Sequence, residues 1–334
     1  MNKTNDSVAT NNYSVVDNIS SGVVLYGRHE FLQTMPELAV PCIIVLGFAS
    51  IVGTLGNLLI LFVIATKKKL RNVESIFIVN LAISDLYVTV VADPMSLIGK
   101  LEGEQFFDRY TGLCQAVGSI CTISCVTSLT TIMMMSINRY FYICSHDLYT
   151  RLFSRWNTLC VCLSLYLLGG ILVFLNLADV GDHGFDQKSL ECIWDRMASY
   201  PYTVVYSVVM VWIPALITIT AYVRIYMFVR RRRRKVLASV NSDRATSSNH
   251  NVKSLHLAKT LGIIYAVFIS CWSPYALVLI LDTRDTFPHE LHVFCTVFAH
   301  LHPSLNWLIY YLTNKKFEEA YNETFAWLKN VINR

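Results

Sequence analysis

Charge is scarce in this chain. Only 15% of its 334 residues are Asp, Glu, Lys or Arg, against about 25% in an average soluble domain, and 54% are hydrophobic. Ten cysteines are too diffuse for a disulfide scaffold, and most lie inside apolar runs, where a buried thiol is the ordinary outcome. No Glu/His pair stands at metal-ligand spacing and no nucleophile motif is present, which argues against an enzyme. There is no internal repeat and no duplicated half, which argues against a transporter built from paired repeats. No charged-then-apolar signal peptide opens the chain, so the first apolar run is expected to drive membrane insertion.

What the chain does have is seven apolar runs separated by short polar loops. A bilayer core of about 30 Å needs roughly 20 mostly apolar helical residues. The runs are Ala39–Ala65, Val73–Ile98, Thr111–Ser145, Asn157–Leu177, Tyr202–Phe228, Leu255–Leu281 and Leu291–Leu312. Inside lipid, backbone polar groups are satisfied only in helices or closed barrels, and these runs are too long and uniformly apolar for barrel strands. The expected fold is an all-α seven-transmembrane helix bundle with a short amphipathic C-terminal helix. It divides into a tail (1–38), the bundle (39–312) and the C-terminal helix with a short tail (313–334).

Orientation follows the basic residues. Of the 28 Lys and Arg residues, 21 fall in the loops after the first, third and fifth runs and in the C-terminal segment, which are therefore expected inside. The run Arg230–Lys235 reads as an anchor at the anionic inner leaflet, not as a nucleic-acid patch. Sequons at Asn2, Asn5, Asn12 and Asn18 crowd the first twenty residues and place that tail outside as a glycosylated segment. Ser239–Asn251 has little to bury and reads as a mobile inner loop. In Asn314–Leu328, apolar residues from Phe317 to Leu328 recur at spacings of three and four, as in a helix lying on the inner leaflet.

Polar residues deep in a membrane helix are costly and mark function. Asp85 sits near the middle of the second run, with Asn57, Ser128 and Asn306 as candidate partners. On the third run Cys114, Cys121, Cys125, Ser128, Met135 and Arg139 share one face. From Cys114 to Arg139 is about 38 Å of helix at about 1.5 Å per residue, so Cys114 is expected at the outer surface and Arg139 at the inner. An oxidising exterior favours pairing Cys114 with Cys192 of the loop between the fourth and fifth runs; Cys42 with Cys295 is a remote second pair. Pro214, Pro274 and Pro303 are expected to interrupt the last three runs, with Trp272 near the second of them facing the bundle centre.

Gly56-Asn57, Asn80 through Asp85, Asn138-Arg139-Tyr140, Pro214 with Tyr222, Cys271-Trp272-Ser273-Pro274, and Asn306 to Tyr310 followed by Phe317 occur in that order. Together they resemble the rhodopsin-type (class A) G-protein-coupled receptors over nearly the whole chain. Within them the stretch Asn138 to Cys144, followed by Tyr149, Leu152, Ser154 and Asn157, is similar to the second inner loop of melatonin receptors. The resemblance implies an extracellular small-molecule ligand and a heterotrimeric G protein, of the inhibitory type by analogy with those receptors, with no enzymatic activity and no nucleic acid. It implies a possible allosteric sodium ion at Asp85, Ser128 and Asn306, an outer disulfide Cys114–Cys192, and coupling through Asn138, Arg139, Tyr140, Tyr222 and Tyr310.

The chain also departs from the pattern. Asn138 stands for an Asp and Ser254 for an acidic partner of Arg139, which predicts activity without ligand. His302 stands for an Asn at the sodium site, Tyr166 for a Trp, and Trp307 for a Pro. Residues expected to line the outer cavity are Asp93, Cys121, Thr122, Cys125, Asn176, Trp194, Met210, Trp272, Tyr275 and His300. Asn176 matches a melatonin-receptor contact, whereas Met210, Arg196 and Ala276 replace polar ones, so a different ligand is expected. Cys121 replaces the counter-ion of amine receptors; Asp93 could substitute, or sit solvated at the outer leaflet. The seventh run has no Lys, which excludes a retinal Schiff base.

Overall fold

The computed structural model describes residues 28–110, 112–175, 178, 183–194, 196–197, 199–238 and 245–333. The sequons at Asn2, Asn5, Asn12 and Asn18, and the candidate contact Asn176, lie outside them. Among the described residues, six helices are long and apolar enough to cross a membrane. Four of these are Pro36–Thr66, Val73–Glu102, Leu113–Cys144 and Arg155–Leu175. The fifth span begins at Tyr200 and runs to Ala238, and the sixth is Ala245–Leu281. The seventh crossing is made of two shorter helices, His289–Ala299 and His302–Thr313.

The spans begin and end within a few residues of the apolar runs, with two larger differences. The fifth continues past Phe228 to Ala238. The sixth helix starts at Ala245, inside the segment expected to be a mobile loop. No Pro or Gly interrupts its polar first turns, so a helix nucleated in the apolar part propagates back through them.

Prolines explain the irregularities, although Pro274, expected to interrupt the sixth run, lies inside a continuous helix. Proline clashes with the carbonyl four residues before it and donates no hydrogen bond. The fifth span accordingly takes a π turn over Val208–Trp212, just before Pro214. The seventh breaks at His300 and Leu301, before Pro303. The second span has the same feature over Val88–Ala92, before Pro94. Pro94 was not among the expected kink residues.

The third span is the axis: 72% of its apolar window is buried, against 28% for the first. Outward-facing Phe48, Trp156, Phe174 and Leu216 stay more than half exposed, as a lipid-facing surface requires. Close approach also needs absent side chains. A methyl on Gly56 would overlap the Trp307 ring, and one on Gly99 would meet the Leu190 carbonyl at 2.5 Å.

Residues 28–35 are not a free tail. His29 donates its N–H to the Leu101 carbonyl, and Phe31 from the helix Glu30–Thr34 is buried with Leu190, Val293 and Val297. Beyond the seventh span, Asn314 caps the helix Lys315–Ile332 by accepting from Lys316 N–H at 3.1 Å. Phe317, Ala320, Tyr321 and Thr324 of that helix are buried, while Phe325 and Leu328 stay exposed. Glu323 ties it to Lys67 at 2.7 Å and Lys69 at 3.0 Å.

Candidate functional site

Asp85 lies at the centre, fully buried. Its Oδ1 accepts from Ser128 Oγ at 2.9 Å and its Oδ2 from Asn306 Nδ2 at 2.6 Å. Asn57 does not join them; its amide donates to the Gly53 and Pro303 carbonyls, both at 3.0 Å. His302 takes the remaining side, with Nε2 3.7 Å from Asp85 Oδ1. His302 Nδ1 lies 3.0 Å from Trp272 Nε1 and 2.9 Å from the Ala299 carbonyl. An indole N–H only donates and a carbonyl only accepts, so the two contacts place opposite demands on Nδ1, while Nε2 faces Asp85 beyond hydrogen-bond distance. This arrangement does not fit a sodium ion well. Protein donors already reach both carboxylate oxygens, and an imidazole nitrogen occupies the side where the expected site needs an oxygen.

Above Trp272 a narrow cavity opens toward the disulfide end of the bundle. Of the expected residues, Cys121, Thr122, Cys125, Trp194, Trp272, Tyr275 and His300 line it. Met210 instead lines a smaller chamber, which shares Trp194, Tyr206, Trp272 and Tyr275 with the first. Asp93 is neither on the wall nor solvated. It is fully buried, with Oδ1 2.6 Å from His300 Nδ1, because the π turn at Val88–Ala92 rotates the end of the second span inward. Sequence reasoning missed Glu191 and Tyr206, which also line the cavity. Glu191 is adjacent to Cys192, and that adjacency was the available signal.

The roof is a hairpin, His183–Asp186 paired antiparallel with Glu191–Trp194. Cys192 forms the disulfide with Cys114, while Cys42 and Cys295 remain free thiols. Trp194 packs on Tyr206 with ring centroids 4.3 Å apart and donates to Thr203 Oγ1 at 3.3 Å. Ion pairs join this roof to the turn between the sixth and seventh spans. Arg196 Nη2 reaches Asp285 at 2.5 Å, and Lys188 reaches Asp285 at 2.8 Å and Asp282 at 3.7 Å. Burial opposes the Arg196 charge, but Asp186 and Asp285 outweigh it and raise its pKa. Asp282, Asp285 and His292 could offer three atoms to a metal ion; the two basic side chains already neutralise that cluster.

At the opposite end Arg139 is buried and pairs with Glu74 of the second span. Arg139 thus lacks the adjacent carboxylate that an Asp at position 138 would supply and finds one on the neighbouring span instead. The Asn138 side chain is buried, and the Ser254 side chain lies outside the described residues. Tyr222 is half-buried against Gly262 of the sixth span, and Tyr310 stacks on Phe317 at 4.9 Å. Tyr140 is half-buried with its ring edge-on to Phe141. Tyr166 takes the place of a Trp by reaching Ser84 Oγ at 3.2 Å.

Residues 56–310 match the family model described as 7 transmembrane receptor (rhodopsin family). The melatonin receptor type 1B-B of Danio rerio is 30% identical over 286 residues, covering 83% of this chain and 79% of that protein. The human type 1B receptor is 28% identical over 289 residues, 84% of this chain and 76% of that protein. The crystal structure of squid rhodopsin superposes with a TM-score of 0.77 at 21% identity, covering 92% of this chain and 91% of that one, a likeness of fold.

Proposed function

This chain belongs to the rhodopsin family of seven-transmembrane receptors and is related to the melatonin receptors, and on that premise we propose how it signals. A small extracellular molecule binds in the cavity beneath the hairpin. Binding shifts an existing equilibrium between two packings of the bundle, because one packing holds the ligand better. At the other end, release of Arg139 from Glu74 opens a surface for a heterotrimeric G protein, of the inhibitory type by analogy with the relatives. In this reading the protein is a multi-pass plasma-membrane receptor, with the glycosylated N-terminus outside and the basic loops inside.

The observation that carries the reading is the continuous path below the cavity. Trp272 forms the cavity wall, its N–H reaches His302, and His302 faces Asp85. A ligand that moves the indole therefore acts directly on the central polar cluster. We assign the ligand to a different molecule from that named for the relatives. Arg196 is committed to the roof ion pairs, and Met210 and Ala276 offer no polar contact. We also propose that His302, not sodium, is the third neighbour of Asp85.

Agonist-stimulated guanine-nucleotide exchange in membranes, with no current or solute flux in the same membranes, tests this reading. Arg139→Ala should abolish exchange and leave ligand binding intact. Full exchange in that variant would remove Arg139 from the mechanism.

A further inference from the structure

One carboxylate oxygen at the cavity wall has no partner among the described residues. Glu191 is 4% exposed and forms part of the cavity wall. Its contacts all use Oε2: Ser96 Oγ donates at 2.8 Å, Lys100 Nζ lies at 3.6 Å, and His300 Nε2 at 3.9 Å. Oε1 has no hydrogen-bond or ion-pair partner among the described residues. The Lys100 ammonium is also engaged elsewhere, with Ser96 Oγ at 2.8 Å and the Ser189 carbonyl at 3.1 Å. Behind this group lies the buried carboxylate of Asp93, whose Oδ2 has no partner. Asp93 thus holds His300 at 2.6 Å and Glu191 has Lys100 at 3.6 Å, and neither contact uses Glu191 Oε1.

Resting on the receptor reading above, we propose that the ligand is a small protonated amine carried on an aromatic or apolar body, its ammonium paired with Glu191 Oε1. An ammonium only donates and a carboxylate only accepts, so the two are complementary. A ligand that fills the cavity displaces water from Oε1, and a carboxylate oxygen stripped of water without such a partner is costly. A neutral ligand leaves that cost standing, and an anionic one meets repulsion from both Glu191 and Asp93. The walls suit the rest of the molecule: Trp194, Tyr206, Trp272 and Tyr275 supply apolar area and ring faces that attract a cation. The Tyr275 hydroxyl is buried without a partner and is available to a polar substituent. The third span offers only thiols and Thr122 on this wall, so the counter-ion comes from the hairpin instead.

Matched compounds isolate the charge. Phenethylamine and tryptamine can be compared with their N-acetyl forms, which keep the ring and lose the ammonium. The readouts are thermal stabilisation of the purified full-length protein and nucleotide exchange in membranes. A hydrogen bond between charged partners should favour the amines by about tenfold or more in apparent affinity. Glu191→Gln should abolish that preference. Because this substitution leaves Lys100 buried without its partner, the double variant Glu191→Gln/Lys100→Met removes both charges and should lose the preference in the same way. Equal or stronger binding of the N-acetyl forms would overturn the amine assignment and leave the receptor reading standing. Failure of both series to stabilise the protein would overturn it too. Stabilisation by the amines without exchange on any Gα would keep the assignment and sink the coupling reading.

Discussion

Glu74, the second residue of the second span, closes a buried ion pair with Arg139 near the end of the third. Glu74 sits in the first turn of its helix, next to the capping box made by Asn72 and Ser75. An acidic residue there is ordinary on helix-dipole grounds. Its sequence position therefore gave no hint that it replaces the carboxylate missing at Asn138. The pair restrains the end of the bundle that the proposed mechanism must open.

The first expectation follows from that restraint. The wild-type protein should be nearly silent without ligand, contrary to what the sequence alone predicts. Glu74→Gln keeps the size of the side chain and removes the charge. A restraint of about 1.4 kcal/mol corresponds to about a tenfold shift in a two-state ratio, so ligand-independent exchange should rise about tenfold. The variant should also be less stable, since breaking one side of a buried pair leaves the other charge uncompensated. Basal exchange in membranes, normalised to the amount of receptor, measures it; an unchanged basal rate would deny the pair its restraining role.

Sodium gives the second. With His302 Nε2 facing Asp85, exchanging sodium chloride for potassium chloride at constant ionic strength should not alter thermal stability or ligand affinity. His302→Asn replaces the imidazole with an amide that offers an oxygen. That variant should acquire sodium-dependent stabilisation. Sodium-dependent stabilisation of the wild type, equal to that of the variant, would show that the imidazole does not exclude the ion.

Packing between the first and seventh spans supplies the third. Trp307 lies against Gly56 so closely that a single methyl cannot be added without moving the indole. Gly56→Ala should cost about 1–3 kcal/mol as an overpacking change. Combining it with Trp307→Leu, which empties the same space, should recover much of that loss, because the two residues touch and their effects do not add. Thermal unfolding of the two single variants and the double variant completes the cycle.

The spans were legible because a bilayer demands long apolar helices, and that demand overrides local detail. Asp85, Ser128 and Asn306 could be brought together from their depth in three spans, and Cys114 with Cys192 from the compartment they share. Depth does not specify rotation, however. The π turn before Pro94 carries Asp93 away from the surface and behind His300, and no periodicity assuming 3.6 residues per turn anticipates that. Glu191, Arg196 and Lys188 belong to a short connection between spans, where hydropathy has nothing to say. Their roles come from a hairpin register fixed by the disulfide.

The last expectation concerns that roof and its dependence on pH. Asp282, just past the end of the sixth span, is 2% exposed. Its Oδ1 accepts the backbone N–H of Thr286 at 2.6 Å and of Phe287 at 3.1 Å. Its Oδ2 lies 3.0 Å from His292 and 3.7 Å from both Lys188 and Arg196. Burial works to raise its pKa, but the His292 hydrogen bond, the two backbone N–H groups and Lys188 outweigh burial and hold it below the usual carboxylate value. A carboxylate held down in the folded protein stabilises it fully above the unfolded value of about 4 and loses that contribution as pH falls through the folded value. Asp282→Asn retains an oxygen for the two backbone donors and loses only the charge. It should therefore cost about 1.5–3 kcal/mol near neutral pH, the range for hydrogen bonds to a charged group. The gap from wild type should persist at pH 5 and close below about pH 4. Because the lost pairs hold the hairpin over the cavity, ligand should also leave the variant faster. Thermal unfolding of both proteins across that pH range, with ligand dissociation rates at neutral pH, decides it. A gap that closes on the alkaline side instead would place the stabilising charge on another group.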